Sequence, residues 1–164
     1  MVNQSSNMKL DLLVFGAHPD DAELGAGGTI AAAVLEGKQV GIIDFTRGEL
    51  GTRGTVAIRD IESSRAAEIL GIRIRENMNF ADGFFVNDAD HQLALIKKIR
   101  SYRPEVVIAN AISDRHIDHA KGSKLASDAC FLSGLSKIET FDDQGNLQEA
   151  FRPKLVYHMI QWQD

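Results

Sequence analysis

The sequence predicts an α/β fold, a Rossmann-like three-layer sandwich in which helices cover both faces of a mostly parallel sheet. Short apolar runs alternate with longer segments whose apolar residues recur at helical spacing. The short runs are almost continuously apolar, which is typical of strands buried on both faces of a parallel sheet. Right-handed crossovers then make an open, doubly wound arrangement the simplest topology.

The beginning of the chain predicts two strands and the helix between them. Residues 10–15 are apolar and predict a buried strand. A helix is expected from about residue 23 to residue 36, and Gly37 is its stop signal. Residues 40–45 predict the second strand, and a glycine-rich loop follows at residues 46–55.

The second helix is predicted from apolar residues that share one face, and Gly71 ends it. We expect this face to pack on the core. Its residues are Ile58, Ile61, Ala66, Ile69 and Leu70. A weaker third strand is expected at about residues 75–80.

The rest of the chain repeats the alternation. Asn87 or Asp88 caps the third helix, and Pro104 ends it before the strand at residues 106–109. The inward face of this helix carries Leu93, Ile96 and Ile99.

After the fourth strand, a loop at residues 110–118 leads into a helix over about residues 119–135. Residues 141–150 predict an exposed hairpin or loop, and residues 155–160 predict the last strand.

Length and composition limit the class of protein. The 164 residues suit one domain, and we expect a disordered leader over residues 1–8 and a folded domain over residues 9–164. A net charge of −5 argues against nucleic acid and anionic membranes as partners, because phosphate binding needs clustered Lys and Arg. No apolar run approaches the ~20 residues that span a bilayer. The single cysteine, Cys130, excludes a disulfide framework and favours a reducing, cytoplasmic location.

Two clusters of candidate metal ligands follow predicted strands. The sequence AHPDD, residues 17–21, follows the first strand, and DRHIDH, residues 114–119, follows the fourth. In a doubly wound sheet these two strands usually lie side by side, and ligands bind outside their carboxyl ends. The sequence therefore predicts that the two clusters converge on one site.

The aspartates also have a purely structural interpretation. Asp20 and Asp21 precede a helix and can serve as N-cap and first-turn acids, while Asp118 can cap the helix that begins near His119. Helix capping does not account for the histidines in the two clusters. It also does not explain why both clusters fall at the same edge of the sheet. The joint pattern favours a metal site.

The residue types suit zinc-dependent hydrolysis. A catalytic zinc takes three protein ligands, imidazole and carboxylate, and keeps one position open for water. Of two adjacent aspartates on a tight turn, one can bind the ion while the other accepts a proton from the water that the ion activates. A further histidine beside the metal can stabilise a developing oxyanion or protonate a leaving amine.

With AHPDD followed by DRHIDH, the sequence resembles the LmbE-like (PIG-L) deacetylases, zinc-dependent enzymes that remove acetyl groups from N-acetylglucosaminyl compounds. The likeness extends from Leu10 to Ile160. The stretches TRGELGTRGT, FADGFFVN and SDACFLSGL resemble most the bacterial branch that makes bacillithiol, whose members deacetylate N-acetylglucosaminyl malate.

The resemblance implies a role for each residue of the two motifs. His18, Asp21 and His119 would bind one zinc ion, and Asp20 would be the general base. His116 would assist the oxyanion and the departing amine. Asp118 would orient a histidine from behind, as outer partners of metal ligands do.

Arginines provide candidate contacts for an anionic sugar conjugate. Arg47, Arg53 and Arg59 surround the glycine-rich loop, and Arg115 lies inside the second motif. Guanidinium groups bind carboxylates in bidentate fashion, so Arg59, Arg115 and Arg53 are expected to bind the substrate. The alternative is that Arg59 pairs with Glu62 along its helix and that Arg47 is solvated.

The chain departs from the family pattern at two places. Ile117 stands where the family usually has proline, which is expected to loosen the second motif. Members of the family continue past the last strand, so we expect the domain to be truncated at its C-terminus, with the metal triad complete and the substrate pocket incomplete. The full-length form is expected to be a homo-oligomer.

Other functions remain open at the level of the sequence. The acetylated substrate can instead be an inositol conjugate or a chitin fragment. A metal- or nucleotide-binding module without hydrolytic activity is motivated by the glycine-rich first helix and by Ile117.

Overall fold

A computed structural model describes residues 8–161; the leader expected at residues 1–8 therefore lies, except for Met8, outside the described residues. Strands and helices alternate along this part of the chain, in the order β1 (Leu12–Gly16), α1 (Asp21–Leu35), β2 (Val40–Asp44), α2 (Val56–Leu70), β3 (Ile74–Asn77), α3 (Ala89–Tyr102), β4 (Val106–Ala109), α4 (Ile117–Leu132) and β5 (Leu155–His158).

The strands form one sheet in the order β3-β2-β1-β4-β5, and every neighbouring pair is parallel. The winding reverses between β1 and β4, where Leu12 pairs with Val106 and Val14 with Ile108. The predicted Rossmann-like α/β class is confirmed, and the two motif loops follow the two strands at the reversal point.

Two hydrophobic cores lie on opposite faces of the sheet because side chains alternate along each strand. From β1, Leu13 and Phe15 join the core under α3 and α4, whereas Leu12 and Val14 join the core under α1 and α2. The helices therefore form two outer layers around a sheet that is buried at its centre.

Local signals set most of the helix boundaries. The Oδ1 of Asp88 accepts a hydrogen bond from the His91 N–H at 3.0 Å, which selects Asp88 over Asn87 as the cap of α3. Gly71 adopts a left-handed conformation, with φ of 68°, at the end of α2. Helix α4 begins at Ile117, two residues earlier than predicted, because His116 serves as its N-cap.

The predicted orientation of α2 is wrong for its isoleucines. None of its residues is buried, and Ile58, Ile61 and Ile69 are exposed. Helix α2 packs beside α1 and over β3, which is an edge strand of the sheet. Little of the sheet therefore lies beneath α2. Only Ala66 and Leu70 of the predicted face are half-buried.

None of the helices within residues 8–161 combines the length and the apolar character needed to cross a bilayer.

Candidate metal centre

The two motif loops meet at the carboxyl ends of β1 and β4, as predicted. His119 Nε2 lies 3.1 Å from Asp21 Oδ1, and His18 Nδ1 lies 3.7 Å from Asp21 Oδ2. The structure thus brings together all three residues predicted as metal ligands, although about a hundred positions separate the two loops in sequence.

His18 is held from its far side by two carboxylates. Its Nε2 lies 3.0 Å from Asp82 Oδ1 and 3.3 Å from Asp118 Oδ2. Because carboxylates accept hydrogen bonds, the ring proton belongs on Nε2, and Nδ1 is the nitrogen left to face Asp21. Asp118 therefore contacts a histidine, as the sequence suggested, and this histidine is His18.

His119 has the opposite orientation. Its Nδ1 lies 2.7 Å from Asp114 Oδ2, which leaves Nε2 directed at Asp21. The Asn110 amide, which follows β4, connects the two motif loops. Its Oδ1 accepts a hydrogen bond from the Ala17 N–H at 2.9 Å, and its Nδ2 donates one to Asp21 Oδ2 at 3.0 Å.

The His116 ring lies between the other two imidazoles and the open cleft. It stacks on His119 with ring centroids 4.9 Å apart and meets the edge of His18 at 4.6 Å. Its Nδ1 accepts from the Asp118 N–H at 3.3 Å, so the proton of the neutral ring lies on Nε2. This ring can therefore donate a hydrogen bond from Nε2.

Paired charges shift the titration of the centre. Burial alone would lower the pKa of His119, but the Asp21 and Asp114 carboxylates raise that pKa to about 9. Burial alone would raise the pKa of Asp21, yet hydrogen bonds from His119 and His18 hold it far below its ordinary value. The His119 imidazole and the Asp21 carboxylate therefore stabilise each other's charged form.

The aspartates stand at helix starts, with Asp21 in the first turn of α1, but neither Asp20 nor Asp118 caps a helix through its side chain. Asp20 occupies the N-cap position of α1, but its side chain makes no capping hydrogen bond. The Asp118 carboxylate accepts from the Gly83 N–H at 2.7 Å instead of capping α4. Burial and the neighbouring Asp21 charge raise the pKa of Asp20, which strengthens its carboxylate as a proton acceptor.

A cleft of about 610 Å³ opens above the centre and is lined by Asp20, His116, Arg59 and Arg115 among others. The Arg59 guanidinium lies against the backbone of Gly48, where a Cβ atom would approach its Nη1 to 2.9 Å. No ion pair links Arg59 to Glu62 within the described residues, so the pairing alternative is wrong.

The other two arginines lie elsewhere. Arg53 lines an adjoining groove that shares Asp20 and Arg59 with the cleft but does not line the cleft itself. Arg47 pairs with Asp60 of α2 and is therefore not simply solvated.

Three residues that contact the centre received no role from the sequence. Asp114 was visible inside the second motif, and Asn110 directly follows the fourth strand. Asp82 comes from the loop after β3 and also accepts from the Leu50 N–H at 2.9 Å, which ties the glycine-rich loop to His18. The signal that could have revealed Asp82 is an acidic residue in a loop that leaves the same edge of the sheet.

The residues present fit a divalent metal. Ring nitrogens of His18, His116 and His119 lie within 4.8 Å of one another, and Asp21 adds a carboxylate to this group. Imidazole and carboxylate ligands whose second nitrogen is held by an outer carboxylate are typical of zinc sites.

The centre does not resemble a dinucleotide site. The turn between β1 and α1 carries His18 and the aspartates, and the glycines lie inside α1. Asp44, at the end of β2, accepts a bidentate pair of hydrogen bonds from Arg75 at 2.8 and 3.1 Å. A ribose would have to displace that buried pair.

The family described as PIG-L: GlcNAc-PI de-N-acetylase matches residues 13–130. The deacetylase YaiS of Escherichia coli is 33% identical over 132 residues, which cover 77% of this chain and 71% of YaiS. The diacetylchitobiose deacetylase of Thermococcus kodakarensis is 28% identical over 151 residues, which cover 86% of this chain and 57% of that enzyme.

Among solved structures, the conserved protein TT1542 from Thermus thermophilus superimposes with a TM-score of 0.83 and 41% identity. The superposition covers 94% of this chain and 68% of TT1542. The chain thus spans between 57% and 71% of the length of these three relatives.

Proposed function

Because the chain belongs to the PIG-L family, we propose that it is a zinc-dependent deacetylase that hydrolyses the acetamide of an N-acetylglucosaminyl conjugate. The observation that carries this proposal is the convergence of His18, Asp21 and His119 at one end of a cleft that Asp20 and His116 also line. We take the substrate to be N-acetylglucosaminyl malate, as in bacillithiol biosynthesis.

His18 Nδ1, Asp21 and His119 Nε2 would hold the zinc ion. When bound, such an ion polarises water and the substrate carbonyl and lowers the pKa of water from 15.7 toward ~7. Asp114, Asp82 and Asp118 position the two histidines through their other ring nitrogens, and Asn110 positions Asp21.

The remaining side chains supply proton transfer and charge stabilisation. Asp20 accepts a proton from the attacking water, and its raised pKa keeps that proton available for transfer to the nitrogen. His116 donates from Nε2 to the oxygen on which negative charge develops. Water adds to the acetamide carbon, the C–N bond breaks, and acetate and a free amine leave.

The arginines support an anionic aglycone. Arg59 and Arg115 line the cleft that contains the catalytic residues, and guanidinium groups match carboxylates in bidentate geometry. Arg53 extends the positive charge into the adjoining groove. A malate group carries two carboxylates, whereas inositol and chitobiose carry none.

The test compares three acetamides with the zinc-loaded protein: N-acetylglucosaminyl malate, N-acetylglucosaminyl inositol and diacetylchitobiose. We expect acetate release from all three substrates. The kcat/KM value should be highest for the malate conjugate. Replacement of Arg59 by Met should lower kcat/KM for the malate conjugate by at least about tenfold, because a charge-assisted bidentate contact is lost, and should affect diacetylchitobiose less.

The matched control is Arg73→Met, which removes an arginine from the turn before β3, outside the cleft. It should leave both rates unchanged. Absence of acetate release from every substrate by a protein that holds one zinc would refute the deacetylase. Equal kcat/KM values for malate and inositol conjugates would refute the malate assignment alone.

A further inference from the structure

The glycine-rich loop after β2 packs against the guanidinium group of Arg59, which lies near the start of α2. A Cβ atom at Gly48 would lie 2.9 Å from Nη1, and a Cβ atom at Gly51 would lie 3.0 Å from Nη2. Both distances are shorter than the 3.4–4 Å of ordinary van der Waals contact. Residues 48–51 thus form a cradle whose backbone fits closely around the two terminal nitrogens, and we call it the Arg59 cradle.

The Arg59 cradle is a hydrogen-bonded turn. The Gly51 N–H donates to the Gly48 carbonyl at 3.1 Å, and Gly48 has a φ of +63°, a left-handed conformation that glycine adopts without strain. Between these glycines, the Leu50 N–H donates to Asp82 Oδ2 at 2.9 Å. Hydrogen bonds from the backbone therefore fix the shape of the turn, although three of its four residues are exposed.

Thr46 joins the Arg59 cradle to the metal centre. Its side chain is fully buried, and its Oγ1 donates to the Ala17 carbonyl at 3.0 Å and accepts from the Gly48 N–H at 3.1 Å. The Ala17 carbonyl also accepts from the Thr46 N–H at 3.0 Å, whereas within residues 8–161 the Gly48 N–H has no acceptor besides this hydroxyl. Because Ala17 directly precedes His18, one hydroxyl group links the cradle to the loop that carries two candidate metal ligands.

The Arg59 guanidinium is available to a ligand. No Asp or Glu in the described part of the chain forms an ion pair with it, whereas Arg47 pairs with Asp60 and Arg75 pairs with Asp44. A guanidinium binds a carboxylate through two parallel hydrogen bonds that lie in one plane. The strength of that contact therefore depends on whatever holds the plane of the guanidinium in place before the carboxylate arrives.

We propose that Thr46, Gly48 and Gly51 are positioning residues that hold the Arg59 guanidinium at a set distance from the metal centre and thereby give the site its preference for a substrate with a carboxylate. The inference rests on the proposed function, because it takes Arg59 as the contact for the malate group. A guanidinium that is already held in place loses less side-chain entropy when it binds. The cradle should therefore lower KM for the malate conjugate and leave kcat unaffected, since it does not touch the reacting atoms.

Thr46→Val tests the link to the metal centre. It keeps the branched shape of the side chain and removes the acceptor of the Gly48 N–H, while the Ala17 carbonyl keeps its backbone hydrogen bond. With the zinc-loaded protein, KM for N-acetylglucosaminyl malate should rise at least about tenfold and kcat should stay within about twofold. Both constants for diacetylchitobiose, which has no carboxylate, should stay within about twofold of the wild-type values. Thr46→Ser keeps the hydroxyl and should restore KM for the malate conjugate.

Gly51→Ala tests the cradle from its exposed side. The added methyl group would press on Nη2, the free end of a flexible side chain, and should displace the guanidinium with the same effect on KM. Gly27→Ala is the matched control, because a Cβ atom there meets nothing within 4 Å, and it should leave the kinetic constants of both substrates unchanged.

Binding of the product amine, glucosaminyl malate, gives a readout that needs no turnover. Calorimetry with the zinc-loaded protein should show at least about tenfold weaker binding in Thr46→Val, Gly51→Ala and Arg59→Met, and unchanged binding of glucosaminyl inositol. Weaker binding in Arg59→Met alone would overturn the role of the cradle and leave the malate assignment in place. Unchanged binding in all three variants would overturn both. A fall in kcat for diacetylchitobiose in Thr46→Val would show that Thr46 supports the metal centre itself, which also contradicts the proposal.

Discussion

At the scale of single residues, the centre depends on which nitrogen each histidine directs inward. Asp82 and Asp118 occupy the Nε2 side of His18, whereas Asp114 occupies the Nδ1 side of His119. The two rings therefore use different nitrogens toward Asp21. The candidate ligands were predicted from the motifs and the family resemblance, but the orientation of the two rings depends on carboxylates of the second motif and of the loop after β3.

The assignment of Asp20 as base is tested by Asp20→Asn, which keeps the shape of the side chain and removes its basicity. We expect zinc content to remain at one ion per chain and deacetylation to fall by about 10²–10⁴-fold, the usual contribution of a general base. Elemental analysis and acetate release measure the two quantities. Asp90→Asn, an exposed substitution in the first turn of α3, is the matched control. A variant that keeps the wild-type rate would remove Asp20 from the mechanism.

At the scale of elements, periodicity predicted where helices and strands lie but not how far each helix is buried. Helix α3 turns Ile96 and Ile99 into the core, as predicted, because it packs against α4 and over β1 and β2, whereas Leu93 of the predicted inward face is exposed. Helix α2 has the same kind of apolar spacing and yet lies at the edge, over β3. Apolar spacing defines a face, and the neighbours decide what covers it.

Two glycines should respond in opposite directions to substitution by alanine. Gly71 has φ of +68°, and a Cβ there would lie 3.3 Å from Val34 Cγ1, so Gly71→Ala should lower the free energy of unfolding by about 1 kcal/mol or more. Gly28 lies inside α1 with open space where a Cβ would be, so Gly28→Ala should raise it by about 0.5–1 kcal/mol. Urea unfolding measures both, and the same sign for both variants would contradict this account.

At the scale of the whole molecule, the metal centre couples folding to pH. In the metal-free protein the pKa of His119 is raised from 6.5 to about 9. The folded state therefore binds a proton that the unfolded state releases between these values. The resulting stabilisation is fully present below about pH 6.5 and is lost as pH rises through about 9.

We accordingly expect the free energy of unfolding, measured with a chelator present, to decline from pH 6.5 to pH 9. His119→Gln should show a smaller decline, while His91→Gln, near the start of α3 and outside the group of side chains around Asp21, should follow the wild type. Zinc replaces the proton, so metal binding should release protons near neutral pH and strengthen as pH rises. An equal decline in wild type and His119→Gln would show that His119 is not the titrating group.

The sequence by itself determined the α/β class, the order of the elements and the position of the two motifs directly after strands, because apolar periodicity is a local feature. The ligand set was predicted from those motifs together with the family resemblance. Asp82 could not be found in this way, since its contact with His18 joins residues 64 positions apart and exists only because β3 and β1 send their loops to one edge. The exposure of the isoleucines on α2 could not be predicted from the sequence either. Which side of a helix is covered depends on the position of its neighbouring strand in the sheet, and strand order is a property of the tertiary structure.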